Sequence, residues 1–171
     1  MTTPRGESEK GAVDVDAYRH VMGRIAKGVC VLTTTSAGQD HALTADSVTS
    51  VSLDPVLLLI CVETDARFHD AVLESGTFGV SVLAAEQRRL AAWFATSGRP
   101  LPGQMDRAPH TRAPSGVALL DGALATLECV VRDVHPAGDH SIIVGEVDTA
   151  RLGGDPHPAL VHFRGQYSAL P

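Results

Sequence analysis

Two long apolar, β-branched stretches, residues 123–135 and 140–152, are separated only by Pro136-Ala-Gly-Asp139. Four turn-forming residues cannot carry a crossover, so the two runs read as neighbouring antiparallel strands of one hairpin. Shorter β-rich runs precede it at 29–35, 41–51, 56–62 and 78–83, and one follows at 159–163, leading to Arg164-Gly-Gln-Tyr167. Leu53-Asp-Pro55 punctuates, and the wholly apolar 56–62 reads as a strand buried on both faces. Helical spacing appears three times. Val15, Tyr18, Val21/Met22 and Ile25 form one set, with Asp14 or Asp16 placed to cap and Gly28 to stop. Phe68, Val72 and Leu73 form a second over 65–74, closed by Gly76. Leu90, Trp93 and Phe94 form a third over 86–95. Strands and helices do not alternate, so a doubly wound parallel sheet fits poorly. The expected fold is mainly β with short helices (α+β), a closed or semi-closed barrel.

A length of 171 residues suits one domain, expected over 13–171, behind a polar tail at 1–12 that reads as mobile. With 20 acidic and 14 basic residues the chain carries −6, which argues against a nucleic-acid-coating surface. No run is long enough to span a bilayer, and no apolar h-region follows the start, so no membrane role and a cytoplasmic address are expected. Cys30, Cys61 and Cys129 lie far apart inside apolar runs and form no CxxC pair. They read as small hydrophobes rather than a redox or zinc motif. The segment 96–116 is rich in proline and glycine. Its length fits a lid or partner-contacting arm, with surface irregularity the plain alternative.

No dinucleotide glycine turn, phosphate loop, zinc-protease helix or nucleophile elbow is present. The richest polar segment runs from Thr44 to Ser52, with five hydroxyls and one carboxylate in nine residues. At unbroken strand spacing Ser50 and Ser52 share a face, as do Thr44 and Asp46. Hydroxyls and free backbone N–H groups suit a ligand rich in carbonyls, ring nitrogens and phosphate oxygens. An exposed Thr/Ser-decorated strand is the alternative. His140 opens the second hairpin strand after Gly138-Asp139, where it can donate to an amide or titrate near neutrality. No pair of histidines has ligand spacing with an acidic partner, so no metal site is expected. Arg67, Arg88 and Arg89 are the local cations that a phosphate would need in an acidic chain.

These motifs fall in an order that resembles the flavin reductase family, FMN-binding split-barrel proteins that serve two-component monooxygenases. The matching blocks are YRHVMGRIAKGV from Tyr18, LTADSVTSVSLDP from Leu43, SGTFGVSVL from Ser75 and AAWFA from Ala91. They continue with ATLEC from Ala125, GDHSIIVGEV from Gly138 and PALVHFRGQY from Pro158. The resemblance implies a homodimeric split β-barrel that reduces FAD or FMN with NADH or NADPH, the leaning being to FAD and NADH. Reduced flavin would pass to a partner monooxygenase. Thr44, Ala45, Asp46 and Ser47 would line the isoalloxazine. Ser50, Val51 and Ser52 would hold the ribityl chain and first phosphate, with Cys61 and Val62 close by. Arg67, Phe68 and the turn of Ala85, Gln87 and Arg89 would complete the phosphate end. His140 would sit beside the nicotinamide, orienting it rather than donating a proton, and Phe94 and Tyr167 would approach the same cleft. Asp46 stands where the family usually has Asn, Ser81 replaces another usual Asn, and Val56 a usual Pro. A non-catalytic flavin- or haem-binding module on the same barrel is the competing expectation, and an amine oxidase with tightly held FMN a third.

Overall fold

The computed structural model describes residues 12–154 and 157–171, so most of the expected tail lies outside the described residues. In chain order the elements are α1 (Val15–Met22), β1 (Lys27–Gly28), β2 (Cys30–Ser36), β3 (Gln39–Ala45), β4 (Thr49–Leu53), β5 (Val56–Glu63) and α2 (Arg67–Ser75). There follow β6 (Thr77–Val82), a 3-10 turn (Ala85–Gln87), α3 (Arg88–Ala95), β7 (His110–Arg112) and β8 (Ala118–Leu120). The long β9 (Ala125–Ala137) and β10 (His140–Leu152) come next, then β11 (Ala159–Phe163) and β12 (Gln166–Leu170). The mainly β character and the three short helices agree with the sequence reading. No helix among the described residues is long and apolar enough to cross a membrane.

Seven strands form one antiparallel sheet in the order β3-β2-β6-β9-β10-β5-β4, with the expected β9–β10 hairpin at its centre. The edge strands β3 and β4 are joined by only three residues, 46–48. Laid flat, seven strands at about 4.8 Å spacing would hold their edges about 29 Å apart. Four Cα steps reach about 15 Å at most. The sheet must therefore curl until its edges approach. It does not close: among the described residues no ladder joins β3 to β4. A second sheet, β1-β11-β12, and the small β7–β8 pair stand outside it.

The inside of the curl is packed by Leu32, Ile60, Phe78, Val80 and Ile143, with Phe68 and Val72 of α2 covering it. Gly145 makes room for Phe78, because a Cβ there would lie 2.5 Å from the ring. Emptying the Phe78 position to Ala costs about 3–5 kcal/mol by the usual behaviour of buried aromatics. Outside, Val29, Val31, Leu83, Phe94 and Leu120 form a second core beneath α3 and the 96–116 segment. Strands buried on both faces are thus β2 and β6, whereas 56–62 is not. In β5 burial alternates, with Leu58, Ile60 and Val62 facing the core and their neighbours half-buried.

Helix α2 ends where expected, Gly76 taking the left-handed conformation with φ 69°. Helix α1 is capped by Asp14, whose side chain accepts from Asp16 N at 3.1 Å, but it stops at Gly23 rather than Gly28. None of its residues is buried. Part of the 96–116 segment is packed into the second core rather than lying idle on the surface. Arg99, Gln104, Met105 and Ala108 are buried, and Gln104 donates to Asp40 O while Trp93 Nε1 donates to Gln104 O. Arg112 grips Asp40 through two bonds of 2.6 and 2.7 Å and holds that carboxyl below its usual range.

Candidate active site

The open seam of the curled sheet, between the ends of β3 and β5, holds a cavity of about 550 Å³. Thr44, Ala45, Asp46, Ser47, Cys61, His140 and Tyr167, all singled out in the sequence, line it together. Glu63, Ala66, Ala95, Ser97 and His162 line it as well. A second cavity of about 330 Å³ shares Leu43, Glu63, Ala66, Ala95 and Ser97 with the first, so the two form one groove. Its walls bring in Arg67, Phe68 and Phe94, and also His41 and Arg99, which the sequence reading passed over.

Local chemistry explains how these residues are presented. Thr44 Oγ1 donates to Ala91 O at 2.7 Å, which ties β3 to α3. Ser47 Oγ donates to Cys61 O at 3.0 Å and accepts from Cys61 N at 3.2 Å, which ties the 46–48 corner to β5. Ser52 Oγ accepts from Asp54 N at 3.2 Å. Much of the hydroxyl-rich motif thus shapes the groove. Strand parity then sorts β5: Cys61 and Glu63 face the groove, and Val62 lies in the core on the opposite side. Val62 therefore lines neither cavity.

Ser50, Val51 and Ser52 lie on the edge strand β4 and line neither cavity. Ser50 pairs with Leu58 and Ser52 with Leu57, so Val51 is an extra, bulged residue. Because successive β5 residues point to opposite faces, the bulge breaks the shared face expected for the two serines. Ala85, Gln87 and Arg89 also stand away from the groove. Gln87 accepts from Ala84 N and donates to Asp121 O, bracing the turn. Ser81, at the other Asn-like position, is fully buried and accepts from Leu120 N at 3.0 Å.

The far wall is a single cross-strand row. Lys27 of β1 is directly opposite His162 of β11, which is directly opposite Tyr167 of β12. Asp46 meets this row, its Oδ2 lying 2.7 Å from Lys27 Nζ and 3.2 Å from His162 Nδ1. The His162 and Tyr167 rings pack at 5.7 Å, and the Arg88 guanidinium lies 6.0 Å from the Tyr167 ring centre. Burial and Asp46 push the Tyr167 phenol up, so it stays a neutral hydroxyl group. Asp46 is thus not the bare anion its sequence position suggests. Lys27 and His162 were missed because their roles depend on register across three strands.

The smaller cavity differs. Arg99 is nearly buried and donates to Phe94 O, Thr96 O, Ala42 O and Gln104 Oε1, all neutral acceptors. Arg67 Nη2 donates to Arg99 O at 2.7 Å. Among the described residues neither guanidinium pairs with a carboxylate, although Glu63 and Asp65 line the same cavity. His41 Nδ1 is buried without a partner, and burial and Arg67 hold that imidazole toward its neutral form. Cys30 and Cys129 are pushed up to about 12 by burial, which leaves both as inert thiols.

Comparison with known proteins gives a family for this groove: residues 22–171 match the flavin reductase like domain. The chain belongs to that family. It is 40% identical over 157 residues to an NADH-dependent FMN reductase of Streptomyces nodosus subsp. asukaensis, covering 90% of this chain and 83% of that one. Among solved structures it is similar to BorF, the flavin reductase component of a bacterial two-component tryptophan halogenase. The TM-score is 0.87 at 46% identity, over 92% of this chain and 99% of that one. It is also similar to the NADH:FAD oxidoreductase of Streptomyces globisporus in complex with NAD and FAD fragments, with TM-score 0.85 and 36% identity, over 91% and 92% of the two chains. This flavin reductase fold positions the groove through the seam, the corner and the cross-strand row described above.

Proposed function

We propose that the chain is an NADH-dependent flavin reductase that takes diffusible FAD or FMN and releases it reduced to a separate monooxygenase. The observation that carries this reading is the two-ended groove, in which the Asp46 carboxylate at one end is paired with Lys27 and the other end carries two guanidiniums that have no carboxylate partner among the described residues. The combined volume lies within the range of small-molecule sites. Small walls at Ala45, Ala66, Ala95 and Ser97 accept a flat ring. Arg67 and Arg99 supply the cations for phosphate in a chain of net charge −6.

Bound flavin supplies the hydride-accepting ring, and nicotinamide supplies the hydride. The chain's part is orientation: hydride transfer needs two stacked rings near contact and no strong acid or base. His140 at the lip of the larger cavity, with Nδ1 2.7 Å from Asp139 Oδ1, orients the nicotinamide. Tyr167 and His162 close the opposite wall. The FMN and FAD named for the relatives leave both flavins as substrates, and the room beside Arg99 favours the larger FAD.

The same reading includes a split barrel completed as a homodimer. Helix α1 has eight residues, none buried, with Val15, Tyr18 and Val21 exposed. So short a helix does not persist alone in water and is covered by the second copy. Sedimentation tests this point, a monomer at micromolar concentration overturning it.

Anaerobic absorbance in the oxidised-flavin band tests the activity, with catalytic protein, excess flavin and NADH or NADPH in parallel. Multiple-turnover bleaching with NADH is the expected result. Flavin binding without bleaching would overturn the reductase and leave a binding module.

A further inference from the structure

His140 is flanked by two anchored residues. On one side, Thr64 N and Thr64 Oγ1 both donate to Asp139 O, at 3.0 and 3.2 Å. On the other, Ser141 Oγ lies 2.9 Å from Nε2 of His69 on α2. His140 faces the groove and Ser141 the opposite side, because neighbouring strand residues alternate. The His69–Ser141 contact is the one side-chain hydrogen bond between α2 and β10 among the described residues.

The pair is costly in a way that packing does not require. The His69 side chain is 12% exposed and Ser141 is 6% exposed. Around them Phe68 and Val72 of α2 share one apolar core with Ile143 of β10. Two apolar residues would hold the helix to the strand as well, since replacing both partners of a buried hydrogen bond by apolar groups is close to neutral. What a hydrogen bond adds is direction: it fixes where one residue sits along and across the strand. The residue so fixed is the immediate neighbour of His140. Asp70 Oδ1, 3.2 Å from His69 Nδ1, engages the other ring nitrogen from the solvent side.

We propose that His69 is a positioning residue for nicotinamide binding: through Ser141 it sets the β10 end that carries His140. His69 does not touch the groove. This inference rests on the reading of His140 as the nicotinamide-orienting side chain.

Steady-state flavin reduction by the full chain tests it, with NADH varied at saturating flavin and flavin varied at saturating NADH. His69→Phe keeps a ring and loses the bond. Ser141→Ala loses the same bond with almost no change of shape, which keeps the test alive should the first variant fold poorly. Both are expected to raise KM for NADH about three- to tenfold, the worth of one such bond, with kcat and flavin KM within about twofold. His69→Gln, which retains an amide Nε2, is expected to restore the NADH KM. The double variant is expected to be no worse than either single one.

Equal NADH KM in all of these proteins would overturn the proposal, as would a parallel rise in both KM values. His140→Ala, run alongside, separates the two levels. If it raises the NADH KM while His69→Phe and Ser141→Ala do not, the coupling alone fails. If His140→Ala leaves the NADH KM unchanged, the reading of His140 fails and the coupling falls with it.

Discussion

The two ends of the groove treat charge in opposite ways. In the larger cavity the one carboxylate at the corner, Asp46, is met by Lys27 and His162, so its charge is balanced before any ligand arrives. In the smaller one Arg67 and Arg99 face a shared space and hydrogen-bond only backbone carbonyls and an amide, with no carboxylate paired to either among the described residues although Glu63 and Asp65 line that space. A neutral ring needs shape and hydrogen-bond partners, whereas a phosphate needs cations that the protein has left unneutralised. In the proposed function this difference is what orients the flavin, with its ring at the seam and its phosphate toward α2.

Removing the cation that is most buried breaks this comparison hardest. Arg99→Met orphans Phe94 O, Thr96 O and Ala42 O and frees the 96–108 stretch, so it is expected to cost about 2–4 kcal/mol of stability. Urea unfolding measures that loss, and an unchanged midpoint would contradict the assigned role. Asp46→Ala acts at the other end. It leaves Lys27 and His162 unpaired beside the ring, and a rise of about three- to tenfold in flavin KM is expected, equal for FMN and riboflavin. A rise confined to FMN would put the phosphate at the wrong end.

The residues expected from sequence line the groove most fully where they lie together in the chain or beside a turn. Thr44–Ser47 are consecutive, and His140 opens a strand directly after its turn, so both could be read without knowing the fold. Adjacent Cys61 and Val62 were read as one unit although period-two alternation sends them to opposite faces. The Val51 bulge could not be read at all, since it is defined only by the β5 register. Lys27 lies far along the chain from His162 and Tyr167 and meets them only through the β1–β11 and β11–β12 ladders. Arg99 looked like one more loop arginine because nothing local reveals that its loop is packed. Helix α1 carried a clear amphipathic period, but a period says that a face is apolar and not what covers it.

Acidification offers a gentler probe of the phosphate end. His41 is held neutral by burial, below its ordinary value of 6.5. The unfolded chain therefore takes up the proton first, so stability is full above about pH 6.5 and falls as the pH descends toward the lowered folded value. His41→Gln is expected to flatten that slope in thermal melts taken between pH 7 and 5, and an unchanged slope would contradict the assignment. The smallest effect belongs to Gln87, which the family resemblance put at the phosphate. Gln87→Ala is expected to leave flavin KM within about twofold and to cost about 1 kcal/mol through its two bonds to backbone. A tenfold rise in KM would return that turn to the site.

The orientation of the flavin is tested most directly by Arg67→Met against the parent, comparing FMN with riboflavin, which lacks the phosphate, in anaerobic NADH turnover. The arrangement predicts that the parent prefers FMN and that the variant loses about ten- to a hundredfold in FMN KM with riboflavin unchanged. Equal losses for both flavins, or none, would contradict it.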